Sequence, residues 1–185
     1  FNTLASLRSF IHDDSARAME MVDALVEHLR ATLPQMRNGS GVSTLAQQLA
    51  ICRSYLDVMK LRMSGRLAYT IEVPEALLVT PFPPLMLLTL VENAIKHGIE
   101  PRRGPGTICI VGERVQGGGA SHVVVRVIDD GAGLRGGLGH GVGLSNIRSQ
   151  LDLRYRGRAS LSLAGRPEGG AIATLEIPET MTAAA

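Results

Sequence analysis

The stretch LMLLTLVENAIKHG, Leu85 to Gly98, is an apolar run that abruptly admits Glu92, Asn93, Lys96 and His97. Its spacing predicts a helix. Successive helical residues turn by about 100°, so the four polar side chains fall within roughly 140° of arc, and Leu87, Leu88, Val91, Ala94 and Ile95 share the other side. One face packs, and the other presents an acid, an amide, a base and an imidazole. Pro83 and Pro84 precede the run, where a ring-locked φ and a missing N–H suit a helix start, and Gly98 supplies the stop. Alone, this patch reads equally as a core helix whose end reaches the surface, so the rest of the chain has to decide.

The 185 residues are enough for one sizeable domain plus a smaller helical element, and 45% apolar with 19% charged residues is the composition of a globular chain. A net charge of +2 and an aromatic content of 3% argue against a nucleic-acid partner, which selects a strongly basic face and stacking rings. Cys52 and Cys109 lie in apolar patterns without metal-ligand spacing and are expected as buried thiols in a reducing compartment, the cytoplasm. No run approaches the ~18 apolar residues of a membrane span. A first residue that is Phe suggests a fragment of a longer chain.

Leu4, Leu7, Ile11, Ala18, Val22, Leu25 and Leu29 step by threes, fours and sevens, close to a heptad seam that wants a partner helix. His12 to Ser15 interrupt it, and Asp14 or Ser15 can cap a fresh start. Pro34 ends the region, and Gln35 to Gly41 is a connection of the length that joins antiparallel helices. Thr44 and Gln47 have capping-box spacing ahead of the narrow seam Leu45, Leu49, Cys52, Leu56, Met59 and Met63. Two such helices bury too little alone. The expectation is a homodimeric four-helix bundle, with packing onto the downstream domain as the alternative.

Alternation predicts strands at Leu67–Val73, Thr107–Val115, His122–Asp129, Ala159–Ala164 and Ala171–Ile177, with a helix over Leu144–Arg156. The expected fold class is α+β: a two-helix hairpin over 1–64, then an α/β sandwich over 65–180 with a mixed sheet and helices on one face, and a frayed tail over 181–185.

Asp129-Asp130-Gly131-Ala132-Gly133 follows a strand, where glycines let a ligand approach the backbone and a carboxylate can accept an exocyclic amine such as that of adenine. Gly139-His140-Gly141-Val142-Gly143-Leu144 precedes a helix, so backbone N–H groups converge there as an anion site, with phosphate the expected anion. Gly169-Gly170 before the last strand adds another small-residue approach. Each motif alone is weak; no GxxxxGK[ST] phosphate loop is present.

In order, ENxxKH on a helix, DxGxG after a strand, GxGxGL before a helix and GG before a terminal strand resemble the nucleotide-binding domain shared by gyrase-type ATPases, MutL proteins, ninety-kilodalton heat-shock chaperones and histidine kinases, a Bergerat-type fold. LVENAIKHG, VIDDGAGL, GVGLSNIRSQL, the opening FNTLASL and YLDVMKLRMSGRL resemble the LytS/YehU class of sensor histidine kinases, over nearly all of Phe1 to Pro178.

That resemblance implies ATP and Mg²⁺ as cofactors. It implies Asn93 as metal ligand, Glu92 as the acid that polarises the attacking group, Lys96 on phosphate and His97 at the nucleotide edge. It puts Asp129 on adenine with Gly131 and Gly133 lining the base pocket, and Gly139, Gly141, Val142, Gly143 and Leu144 on the phosphate side. Leu134 to Leu138 corresponds to an abbreviated lid. A homodimer and a cognate response regulator are the implied partners, with membrane contact only through upstream segments of a full-length protein in the bacterial inner membrane. In this class the acceptor histidine belongs to an HFLFN segment, whose last two letters are Phe1 and Asn2, so it is expected three residues upstream and the fragment is expected to bind Mg-ATP without labelling itself. His12 is read as a solvated polar residue. Asp130 stands where the class has Asn, and Ala171 where it has Thr. Two alternatives stand beside the kinase: an ATP-driven dimer clamp of the gyrase or chaperone type, and a nucleotide-binding scaffold without catalysis.

Overall fold

In the computed structural model, which describes residues 2–37, 43–117, 120–133 and 142–179, two nearly continuous helices open the chain. These are α1 (Asn2–Asp13) and α2 (Ser15–Arg37). Asp14 restarts the helix, its Oδ1 accepting the Arg17 N–H at 3.1 Å, while its own N–H still bonds Phe10 O at 2.8 Å. α2 passes Pro34 and ends at Arg37. A proline forfeits its own ladder bond and crowds the carbonyl four residues back, and this close to the helix end that loss is confined to the last turns.

β1 (Ser43–Thr44) leads into α3 (Leu45–Arg62) through the capping box read from the sequence. Thr44 Oγ1 accepts the Gln47 N–H at 3.3 Å and Gln47 Oε1 accepts the Thr44 N–H at 3.0 Å. The apolar seam of α3 is wider than the spacing suggested, because Ile51 and Val58 are buried beside Leu45, Leu49, Cys52, Leu56 and Met59. α3 therefore belongs to the core under the sheet as well as to the hairpin.

The remaining elements are β2 (Leu67–Glu72), β3 (Pro81–Phe82), α4 (Met86–Asn93), β4 (Gly106–Gly117), β5 (Ala120–Asp129), α5 (Val142–Tyr155), β6 (Ser160–Gly165) and β7 (Ala171–Pro178). β1 pairs antiparallel with β3; the main sheet runs β2-β4-β5-β7-β6, with β2 parallel to β4 and the other neighbours antiparallel. This is the expected mixed sheet. Alternation along the strands buries Leu67, Ile108, Ile110, Val125, Val127 and Leu175 in one core with the apolar residues of α3, α4 and α5. Each such side chain contributes about 1.5–3 kcal/mol over leaving it in water.

A buried amide ties α3 to α4. Gln48 donates from Nε2 to Ser43 Oγ at 2.7 Å and accepts the Leu85 N–H on Oε1 at 2.7 Å, and Ser43 Oγ donates to Phe82 O at 3.1 Å. Leu85 needs that hold, because its φ of 60° lies in the left-handed region that L-residues avoid. The helix accordingly begins at Met86, and it is α-helical only to Asn93. Residues Ala94–Ile99 form a π turn, with the Glu100 N–H on Ile95 O at 2.8 Å. The Gly98 carbonyl, in the last turn and without an intrahelical partner, accepts the Ala132 N–H at 2.9 Å.

Candidate functional site

The π turn delivers Gly98 against the end of β5. A Cβ on Gly131 would lie 2.2 Å from the Gly98 carbonyl carbon, and one on Gly170 would lie 2.0 Å from Asp129 O. Gly98, Gly131 and Gly170 thus close around Asp129, an approach open only to residues without side chains. Gly133, at φ 75°, continues the wall, its Cβ position 3.6 Å from Gly170 O.

Asp129 ends β5 with 4% of its surface exposed. Burial lifts its carboxyl above the ordinary carboxylate range; the Gly131 N–H, donated to Oδ1 at 2.9 Å, and the Ala171 amide pull it part of the way back. Asp130 adds slightly to the rise and Arg166 slightly opposes it. Arg166 Nη1 also donates to Asp129 O at 3.1 Å, fixing the strand end from behind. A carboxylate held this way keeps lone pairs for an amine donor. Asp130 is tied to β4 instead: its Oδ1 accepts the Thr107 N–H at 2.7 Å and lies 3.4 Å from Arg102 Nη1.

Asn93 faces α5. Its Nδ2 is 3.8 Å from the Cβ position of Gly143, and it is buried with no hydrogen-bond partner among the described residues. The unmatched Nδ2 donor, beside the positive end of a helix, is suited to an anion, and the Oδ1 of the same amide is the atom that could meet a hard cation carried by that anion. Among the described residues no group of three or more His, Cys, Asp or Glu could hold a metal ion, so a cation at Asn93 would take its other ligands from phosphate and water. Leu144 is packed in the core, which leaves its backbone to meet a ligand. Val142 opens α5. Gly139, Gly141 and the expected lid Leu134 to Leu138 lie outside the described residues.

Glu92 and Lys96 belong to another wall. They line a cleft of about 450 Å³ with Thr3 of α1 and Tyr55, Met59 and Arg62 of α3. Partial burial raises the Glu92 carboxyl. His97 is exposed. Adjacent residues thus serve two compartments: Glu92 the helical side, Asn93 the glycine side. Two contributors escaped the sequence reading. Gly98 was legible only as a helix stop, although it closes the ENxxKH motif, and Arg166 had no local signal. Among the described residues no helix is long and apolar enough to cross a membrane.

The sequence matches the family described as histidine kinase-, DNA gyrase B-, and HSP90-like ATPase over residues 82–181, and the one described as histidine kinase over residues 1–67. Sensor histidine kinase BtsS of Escherichia coli (strain K12) is 29% identical over 180 residues, covering 96% of this chain and 31% of BtsS. Sensor histidine kinase/phosphatase LytS of Staphylococcus aureus is 28% identical over 175 residues, covering 89% of this chain and 29% of LytS. YwpD of Bacillus subtilis is 30% identical over 179 residues, covering 92% of this chain and 62% of YwpD. The chain therefore spans between 29% and 62% of the length of these relatives. The histidine kinase domain of the Erythrobacter litoralis EL346 blue-light activated histidine kinase superposes with a TM-score of 0.58 at 17% identity, over 96% of this chain and 90% of that one. The catalytic domain of histidine kinase ThkA gives 0.56 at 19% identity, over 75% of this chain and 95% of that one. At such identities the likeness is one of fold.

Proposed function

This chain belongs to the histidine kinase-, DNA gyrase B- and HSP90-like ATPase family, and from that membership we propose that it is the dimerisation and ATP-binding core of a two-component sensor histidine kinase. The observation that supports the reading is the buried carboxylate of Asp129 closely approached by Gly98, Gly131 and Gly170, an acceptor suited to the exocyclic amine of a base. We assign residues 1–64 to a dimerisation hairpin and 65–180 to the ATP-binding unit, with α3 of the hairpin also packed into the core of that unit.

Mg-ATP, when bound, supplies the γ-phosphoryl group and much of its charge neutralisation. Asp129 orients the base. Asn93 holds the metal, while the start of α5 with Gly143, and with Gly139 and Gly141 ahead of it, takes the phosphates. Lys96 adds positive charge and His97 borders the nucleotide. Glu92 accepts the proton of the attacking imidazole, a role helped by partial desolvation that raises its carboxyl above the ordinary range. Its cleft includes Thr3, at the start of α1, just after the segment that would carry the acceptor histidine.

A second copy is the partner assigned to the outer face of α2. Met19, Val22, Val26, Leu29 and Leu33 recur at threes and fours and are 37–62% exposed, whereas Ala18, Met21 and Thr32, on a stripe one residue behind, are buried. A response regulator receives the phosphoryl group, and the core works on the cytoplasmic side of a membrane-anchored protein. Calorimetry tests the site: the chain binds Mg-ATP, and Asn93→Ala loses the magnesium dependence. Absence of Mg-ATP binding in the unaltered chain would sink the reading.

A further inference from the structure

The last turn of α3 and the exit of the π turn are joined by Arg62 and Glu100. The Arg62 guanidinium, 11% exposed, pairs through Nη2 with Glu100 Oε1, and its Nε is buried with no hydrogen-bond partner among the described residues. Glu100 directly follows the π turn, and its own N–H on Ile95 O closes that turn. Arg62 and Glu100 line the same cleft as Glu92 and Lys96.

As a simple fastening the pair is a poor choice. A pair whose arginine is buried while its carboxylate stays 31% exposed gains little net stability, and a buried donor without an acceptor adds a penalty. The π turn likewise departs from regular helical bonding, and such turns cluster at functional sites. What an ion pair supplies and an apolar contact does not is direction. The contact of Nη2 with Oε1 ties Glu100 to the end of α3, and with it the exit of the segment that carries Lys96 and His97.

We propose, resting on the kinase reading above, that Arg62 is a positioning residue for phosphoryl transfer: by holding Glu100 it sets the register of the π turn and thereby the presentation of Lys96 to the cleft shared with Glu92. It also links the helical hairpin to the nucleotide site. α2 contacts α3 through His28 Nδ1 and Ser54 Oγ at 3.0 Å, so a displacement of α2 reaches Lys96 by way of α3, Arg62 and Glu100.

The test compares the intact kinase with an Arg62→Met/Glu100→Met double variant and with the charge swap Arg62→Glu/Glu100→Arg. Melting temperature, Mg-ATP affinity and autophosphorylation rate at saturating ATP are read for each. The double variant is expected to keep its melting temperature and Mg-ATP binding while its rate falls on the order of 100-fold, the scale of a small misplacement of reacting groups; the swap is expected to recover most of that rate. A double variant that phosphorylates at the unaltered rate overturns the proposal. So does a rate loss that tracks a fall in melting temperature, or one that a folded swap fails to restore. Failure of the unaltered protein to bind Mg-ATP is a separate outcome: it removes the kinase reading, and this proposal with it.

Discussion

Gly98 lies so close beneath Asp129 that a Cβ on the glycine would stand 2.5 Å from Oδ1 and 2.8 Å from Cγ of the acid. The carboxylate is buried and bonded to the Gly131 N–H, so it can yield only by giving up that bond and its place at the floor. Gly98→Ala should therefore destabilise the fold by about 1–3 kcal/mol, the usual scale of overpacking. Nucleotide affinity should fall by about tenfold or more, since a misplaced acceptor forfeits on the order of 1.4 kcal/mol or more of binding. Thermal melting and titration with a fluorescent ATP analogue read the two effects. Full-strength binding by this variant would remove Asp129 from the pocket floor.

Asp129 also gives stability a pH dependence of definite sign. Its carboxyl is raised in the folded chain, above the ordinary value of about 4. Between that value and the raised one, the folded state keeps a proton that the unfolded chain has released. Stability therefore falls as pH climbs through this window and levels off above it. Asp129→Asn should flatten the slope measured by urea denaturation as pH climbs above about 4, while weakening nucleotide binding at every pH. Glu92 is raised too and contributes the same sign, so part of the slope should survive. A slope identical to the unaltered chain would assign it wholly to other groups.

The outer stripe of α2 makes a separable prediction. Leu29 stands near the middle of that stripe and is 53% exposed. Leu29→Glu introduces a charge that a helix–helix seam must desolvate. Sedimentation should show a dimer becoming a monomer, with Mg-ATP affinity of the chain unchanged. A monomeric unaltered chain at the concentrations used would take the dimer away from this face.

Gln48→Leu removes both ends of the buried amide clamp. The part-buried Leu85 N–H loses its acceptor, and the Ser43 hydroxyl loses one partner while keeping Phe82 O. Leaving the Leu85 N–H unmatched costs about 1–3 kcal/mol, so the midpoint of urea unfolding should drop. An unaltered midpoint would mean that Leu85 keeps its left-handed backbone without help.

Much of the architecture was legible in the sequence, because its signals are local. The Thr44–Gln47 pair announced α3 through a geometry spanning three residues, and two-residue alternation located β2, β4, β5, β6 and β7 to within about two residues. The π turn was not legible. Over six residues a π turn and an α turn share nearly the same apolar pattern, and periodicity carries no sign of the distant Ala132 N–H that meets the Gly98 carbonyl. Gln48 gave no signal because a single amide does not disturb an apolar period. Of the site, the spacing singled out Asn93, Asp129 and the glycines that follow. It was silent on Arg166 behind Asp129 and on Arg62 against Glu100, since long-range polar contacts leave no trace in periodicity.

The floor around Asp129 is contributed by the exit of the π turn, the end of β5 and the approach to β7, segments widely separated along the chain. No hairpin or helix of the domain contains it in miniature. Contacts of such long range close only when most of the topology is in place, so the pocket is complete no earlier than the sheet is. A nucleotide that binds there recognises the finished fold and not its precursors, and mass action then raises the unfolding midpoint of the whole domain with nucleotide concentration. Occupancy of the pocket and integrity of the sheet are, for this chain, one equilibrium observed from two ends.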